Sequence, residues 1–228
     1  MHSLWHPLSR AAARFVAGCV CRVHVLHRER SAAPGRWILA SNHISHFDPP
    51  LLSVAARRMV DWMAMAELFS RPWAAAWLRS VGAFPVNRSR ADRAAVRTAL
   101  ERLERDHMIG MFPEGGIRDG AASALAGAPL RTGIGALAQF SRAPVVPCVI
   151  LGSDRLYCPR RWLPLRGAPI WIAFGEPMSC AGKGRQARVE FEAAVARKLR
   201  VLARELRATY SLRDEDFPMP PRLRRMGK

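Results

Sequence analysis

Charge is never far away in this sequence. Its longest stretches free of Asp, Glu, Lys and Arg run to about eleven residues, among them Trp37–Phe47 and Ala143–Ser153. A helix that crosses a membrane needs ~18 or more consecutive apolar residues, and a strand buried on both faces needs only ~4–8. These runs therefore have the size of a buried strand with its following loop, and no transmembrane span is expected. Between them lie helical patterns, and strands alternating with helices predict an α/β fold. At 228 residues the chain has room for about one domain with a sizeable core. The expected architecture is a single domain with a central mixed sheet flanked by helices, over residues 22–210. An amphipathic helix over 1–21 precedes it, and a basic tail over 211–228 follows.

The pattern places strands near Val23–His27, Trp37–Ser41, Val60–Met65, Met108–Phe112, Val145–Leu151 and Ile170–Phe174, and a short strand or turn at Gly82–Val86. Helices are expected from Pro49 to about Arg58, over Trp73–Ser80, Arg90–Arg105 and Thr132–Ser141, and over about 185–209. In the first helix Leu4, Trp5, Leu8, Ala12, Phe15, Val16, Cys19 and Val20 share one arc, with Arg10 and Arg14 opposite. That arrangement suits a helix lying in a membrane interface. It equally suits a helix packed on the domain by its apolar face. Arg10, Arg14 and Arg22 interrupt the apolar stretch and no small-residue cleavage site follows, so a signal peptide is not expected.

The charge is unusual: 36 Lys and Arg against 18 Asp and Glu give a net +18, and all but three of the cations are Arg. Coding bias accounts for Arg over Lys but not for cations over acids. Such a surface attracts polyanions, either nucleic acid or an anionic membrane. No recognisable nucleic-acid-binding module accompanies it. The five cysteines are scattered, with no CxxC pair and no His at zinc spacing, which predicts reduced thiols and no metal site.

The chemistry concentrates in Ser41-Asn42-His43-Ile44-Ser45-His46-Phe47-Asp48, between a predicted strand and a predicted helix, where α/β proteins place their sites. On a continuous helix His43 and Asp48 would stand ~140° apart; in a turn closing onto the helix start they can meet. A carboxylate accepting from one imidazole nitrogen fixes the tautomer and makes the other nitrogen a general base. Asp48 could instead serve only as a helix N-cap, His43 as an ordinary loop histidine, and His46 could compete for the same carboxylate. No Ser or Cys nucleophile motif is present, so direct transfer is favoured over a covalent intermediate.

Three further stretches follow in order: Gly82-Ala83-Phe84-Pro85-Val86-Asn87-Arg88, Phe112-Pro113-Glu114-Gly115 and Val145-Val146-Pro147. With the His-x4-Asp stretch they resemble the ordered motif blocks of the glycerolipid acyltransferase family, whose best-known members are the 1-acyl-sn-glycerol-3-phosphate acyltransferases. The resemblance covers roughly residues 20–210. It implies His43 as general base and Asp48 as its orienting partner. Arg88 would bind the acceptor's phosphate, with Glu114, Gly115 and Arg118 also on the acceptor. Asn42, Ser45, Asn87, Pro113 and Pro147 would support the site. It implies acyl transfer from acyl-coenzyme A or acyl-carrier protein to a lysophospholipid, first of all 1-acyl-glycerol-3-phosphate, to give phosphatidate. No cofactor is implied. The implied setting is the cytoplasmic face of the inner membrane, against anionic lipid, with no specific nucleic acid as partner. One departure stands out. The family usually continues with Thr-Arg-Ser where this chain has Gly116-Ile117-Arg118, which leaves acceptor identity open: another lyso-lipid fits as well. A basic protein that binds nucleic acid or lipid without catalysis is the rival from a different class.

Overall fold

The structure is a computed structural model that describes residues 5–87, 92–131, 133–158 and 167–220. Seven strands of the described residues form one sheet: β1 (Cys21–Leu26), β2 (Trp37–Ser41), β3 (Val60–Met65), β4 (Phe84–Val86), β5 (Met108–Met111), β6 (Val145–Leu151) and β7 (Ala168–Phe174). Their spatial order is β1-β7-β6-β2-β5-β3-β4. All neighbouring pairs are parallel except β6 and β7, which run antiparallel with Ile150 opposite Ile172. The sheet is thus mixed, as expected. β2 lies at its centre, with Leu39 level with Gly110 of β5 and Val146 of β6.

Among the described residues six α-helices cover the sheet: α1 (Trp5–Val20), α2 (Asp48–Ala55), α3 (Pro72–Ser80), α4 (Arg93–Glu104), α5 (Ile134–Ser141) and α6 (Gly184–Tyr210). The charge-free runs are buried on both faces. Along β2 and β6, Leu39, Val146, Cys148 and Ile150 pack with Leu51 and Leu52 of α2 and Ala17 of α1. The alternate residues Ile38, Ala40 and Val145 pack with Leu103, Leu137 and Val195 on the other side. Val149 and Leu151 do so with Leu199, Leu202 and Leu206 of α6. Period-two alternation between two apolar layers is why these strands read as continuous apolar runs.

The helices and strands fall where the pattern puts them, with shifts at their ends. The Arg90–Arg105 helix begins at Arg93 because the Asp92 carboxylate accepts from Ala95 N at 3.0 Å and so caps it. β1 begins at Cys21, directly after α1 and two residues before the expected strand start. The packed part of the chain also runs past the expected boundary at 210: Leu212 is buried in the core and Asp216 pairs with Arg155. Most of the loop expected over Tyr157–Gly167 lies outside the described residues. No described helix is long and apolar enough to cross a membrane.

The first helix docks by the side that carries Arg10. Arg10 turns inward, its Nε donating to Ser53 O at 2.9 Å and its terminal amino group to Ala56 O, while Arg14 stays exposed. Most of its apolar arc turns outward, with Phe15 75% and Leu8 60% exposed, and Val20 at its end packs against the core. The carbonyls at the C-terminal end of α2 lack partners within that helix and draw the guanidinium toward them.

Candidate active site

Three chain segments converge beyond the C-terminal ends of β2, β5 and β6. The first is the loop from Asn42 to Phe47. Asn42 leaves β2 and bonds twice to Ile150 of β6, its amide nitrogen donating to Ile150 O and its amide oxygen accepting from Ile150 N, both at 2.9 Å. This pair fixes where the loop starts. The chain then turns so that Asp48, five residues on, faces back toward His43.

Asp48 is fully buried, and every hydrogen bond of its carboxylate points to the site. Oδ2 accepts from His43 Nδ1 at 2.8 Å, Ile44 N at 2.8 Å and Ser45 N at 2.9 Å, and Oδ1 accepts from the Ser153 hydroxyl. Asp48 is the first residue of α2, and it caps the preceding loop where a helix N-cap was the alternative. His46 does not compete for it: its Nδ1 lies 2.5 Å from the Tyr157 hydroxyl. Because a carboxylate only accepts, Nδ1 of His43 carries the proton and Nε2 keeps its lone pair. The imidazole stacks on Phe112, centroids 3.9 Å apart, and Phe112 stacks in turn on Trp62 at 4.9 Å. One ring face is thus covered and Nδ1 is held inward. With 14% of the side chain accessible, Nε2 is the nitrogen left to meet a substrate.

The second segment is the turn after β5. Glu114 is buried. Its Oε2 accepts from His43 N at 2.6 Å, and its Oε1 accepts from Ala124 N at 2.7 Å and the Ser123 hydroxyl at 3.1 Å. Both oxygens are therefore engaged by protein donors, and Glu114 clamps the histidine backbone to the 120–126 segment. Burial pushes its carboxyl above the ordinary value, against the opposing pull of those donors and of His43. Pro113 is buried beside it, and Pro113 O accepts from Arg131 N at 2.8 Å. Gly115 has φ +72°, and a Cβ there would meet Arg131 Nε at 2.6 Å, so glycine serves both the turn and the close approach of that arginine. Arg118 N donates to His43 O at 2.8 Å, which seats the displaced arginine next to the histidine.

The third segment follows β6. Gly152, at φ +83°, allows no side chain because Pro169 O occupies the space. The turn it makes delivers Ser153 to Asp48. Pro147 lies inside β6, and its carbonyl accepts from Gly175 N at 2.7 Å. Its missing N–H therefore faces the β7 side, at the end of the antiparallel ladder, and the pairing with β2 is intact. Ser45 is buried and its hydroxyl accepts from Phe47 N at 3.2 Å. Asn87 N donates to Asp92 at 2.8 Å, next to the α4 cap. Arg88 lies outside the described residues.

The structure thus gathers Asn42, His43, Ser45, Asp48, Pro113, Glu114, Gly115 and Arg118 around one loop. Three contributors were not foreseen from sequence: Ser153, Arg131 and the Phe112–Trp62 stack. Ser153 had a faint signal, as the small polar residue that ends a charge-free run. Among the described residues no group of three or more His, Cys, Asp and Glu is placed to hold a metal ion.

A buried carboxylate here orients a histidine at the C-terminal edge of β2, an arrangement whose chemistry suits a general base. The acyltransferase family model matches residues 22–151, more than half of the chain, a span that includes His43, Asp48 and Glu114 and ends just before Ser153. The chain belongs to the acyltransferase family. It is 28% identical over 131 residues to the 1-acyl-sn-glycerol-3-phosphate acyltransferase of Bacillus subtilis (strain 168), a match that covers 57% of this chain and 63% of that protein. It is 31% identical over 81 residues to the enzyme of the same description from Streptococcus pneumoniae, covering 35% of this chain and 31% of that one. The match spans less than two thirds of either relative's length. The crystal structure of the 1-acyl-sn-glycerophosphate (LPA) acyltransferase PlsC from Thermotoga maritima aligns with a TM-score of 0.68 at 22% identity, over 87% of this chain and 80% of that chain. That likeness establishes the shared fold.

Proposed function

We propose that this protein transfers a fatty acyl chain from a thioester to the hydroxyl of a lysophospholipid, with 1-acyl-glycerol-3-phosphate as acceptor and phosphatidate as product. The observation that carries the reading is the His43 Nδ1 contact to Asp48 Oδ2 at 2.8 Å, with Asp48 wholly buried. His43 Nε2 takes the proton from the acceptor hydroxyl as its oxygen attacks the thioester carbonyl carbon. The carbon–sulfur bond breaks as the tetrahedral intermediate collapses, and the imidazolium returns its proton to the departing thiolate. The proton never leaves His43 for bulk water, and the step needs no metal or cofactor.

The donor is acyl-coenzyme A or acyl-carrier protein; both are acidic and suit a +18 protein. The acceptor's phosphate meets Arg88 and Arg118, joined by Arg131, whose side chain lies against Gly115. Glu114 acts by positioning His43. The protein works as a peripheral enzyme at the cytoplasmic face of the inner membrane, with the outward Leu8, Phe15 and Val16 of α1 in the lipid interface. The Gly116-Ile117-Arg118 departure supports a second reading in which another lyso-lipid is the acceptor.

The test is acyl transfer from labelled acyl-coenzyme A and from acyl-carrier protein to a panel of lyso-lipids. Phosphatidate as the fastest-formed product supports the first reading, and faster turnover of a different lyso-lipid supports the second. No product from any donor and acceptor would leave a binding role and overturn both.

A further inference from the structure

Four arginines converge on a cleft of about 340 Å³ beside the C-terminal end of α2, and among the described residues they alone line it: Arg10 and Arg14 from α1, Arg28 from the turn after β1, and Arg57. Part of the reason is local. Arg10 bonds the carbonyls of Ser53 and Ala56, and Arg28 bonds those of Ala55 at 2.7 Å and Val54 at 3.2 Å, so two guanidinium groups close the end of the helix. Capping explains only those two. The guanidinium groups of Arg14 and Arg57 have no hydrogen-bond partner among the described residues, and none of the four arginines forms an ion pair with Asp or Glu there. Burial together with repulsion from the neighbouring arginines holds Arg10 and Arg28 below the ordinary arginine value. Four like charges with no counter-charge among the described residues oppose folding, and an anion bound among them would offset that cost.

The surroundings say which anion. Arg10 and Arg14 belong to the helix whose opposite face exposes Leu8, Phe15 and Val16. On its other flank the same helix borders a groove lined by Trp77 and Ala76 of α3, and Trp73 and Trp77 are themselves largely exposed. Tryptophans and aliphatic side chains at the depth of the headgroups, with a guanidinium cluster at their shoulder, form the pattern of an interfacial lipid contact. α2 separates this cleft from the catalytic site: Asp48 starts the helix and Ser53–Ala56 end it, roughly 12 Å away at 1.5 Å per residue.

We propose that Arg10, Arg14, Arg28 and Arg57 form a binding site for the phosphate of an anionic membrane phospholipid, separate from the acceptor site at His43. This goes beyond the proposed acyl transfer and does not depend on it. Guanidinium forks suit such a phosphate because they offer paired, directed donors that an ammonium does not.

The test uses the full chain and two double variants, Arg14→Ala with Arg57→Ala and Arg14→Lys with Arg57→Lys, chosen because neither guanidinium has a partner among the described residues. Affinity is measured for vesicles of phosphatidylcholine alone and of phosphatidylcholine with about one third phosphatidylglycerol. The alanine pair is expected to lose about thirty-fold in affinity for the anionic vesicles, about five-fold per cation held at the surface. The lysine pair is expected to lose several-fold despite its unchanged charge, and Arg197→Ala with Arg204→Ala on the outer face of α6 to lose little. Acyl transfer to detergent-dispersed substrate is expected to be unchanged in all of them, which separates this proposal from the catalytic one. Wild-type binding by the lysine pair, or equal losses for the α1 and α6 alanine pairs, would reduce the cluster to bulk attraction and overturn the site. Inorganic phosphate raising the thermal midpoint of wild type but not of the alanine pair, with vesicle binding equal in the two, would mark a site for a soluble phosphate and overturn the lipid assignment.

Discussion

At the scale of single residues, the Asp48 carboxylate is the hub of the site. It gathers three donors from its own loop, and one from Ser153 a hundred residues further along the chain. Ser153→Ala takes away a hydroxyl and leaves a buried carboxylate oxygen one donor short, at a cost of about 1–3 kcal/mol. The expected outcome is a lowered thermal midpoint and a lowered kcat with KM little changed, since in the proposed mechanism the serine acts on His43 only through Asp48. A raised KM at constant kcat would contradict that role. Glu114 allows a pH test. Its carboxyl lies above the ordinary value, so the folded protein binds that proton more tightly than the unfolded chain does. The stability it contributes is full below about pH 4.3 and is lost as the pH rises through the raised value. The stability of wild type relative to Glu114→Gln, followed by denaturant unfolding across that range, should therefore fall with rising pH; a relative stability that grows with pH would contradict the burial argument. The His43–Asp48 pair was legible in sequence because a helix cannot bring those positions together and a turn can. Ser153 was not, because its link to Asp48 exists only once β2 and β6 lie side by side.

At the scale of elements, the strands Trp37–Ser41, Val60–Met65 and Val145–Leu151 stand where the pattern put them, since a strand buried on both faces is unmistakable as a short charge-free run. The helix ends were less legible. Asp92 caps α4 inside a polar stretch that continues the helical pattern, and β1 follows α1 with no turn residues to mark the joint. Periodicity also identified the two faces of α1 but not which one docks. That is decided by the unsatisfied carbonyls at the end of α2, which only the packed structure reveals. Two outcomes follow. Leu8→Asp with Phe15→Asp should weaken binding to lipid vesicles and leave the thermal midpoint in place, because both side chains are exposed. Arg10→Ala should instead lower stability by about 1 kcal/mol through the lost bonds to Ser53 and Ala56. An unfolded or markedly destabilised double aspartate variant would show that the apolar face packs on the protein after all.

At the scale of the whole molecule, the net charge of +18 resolves into distinct uses. Several arginines that read in sequence as surplus hold the fold together by donating to main-chain oxygens: Arg30 to Phe174 O at 3.0 Å, and Arg58 to Ala33 O at 2.8 Å and Gly35 O at 2.6 Å. Others are paired with buried acids, as Arg102 is with Asp61 at 2.9 Å. Sequence could count these cations but could not sort them, since each partner is distant along the chain. What remains, on α1, around α2 and along the outer face of α6, is the charge available to an anionic surface. The fold places that charge and His43 on one small domain, and the proposed acyl transfer rests on His43.

The most direct test of that account compares the initial rate of phosphatidate formation from 1-acyl-glycerol-3-phosphate and acyl thioester for wild type and His43→Ala, with the thermal midpoints measured alongside. The account predicts turnover by wild type, a loss of about 10²-fold or more in the variant, and similar thermal midpoints for the two. Equal rates from two equally folded proteins would contradict it.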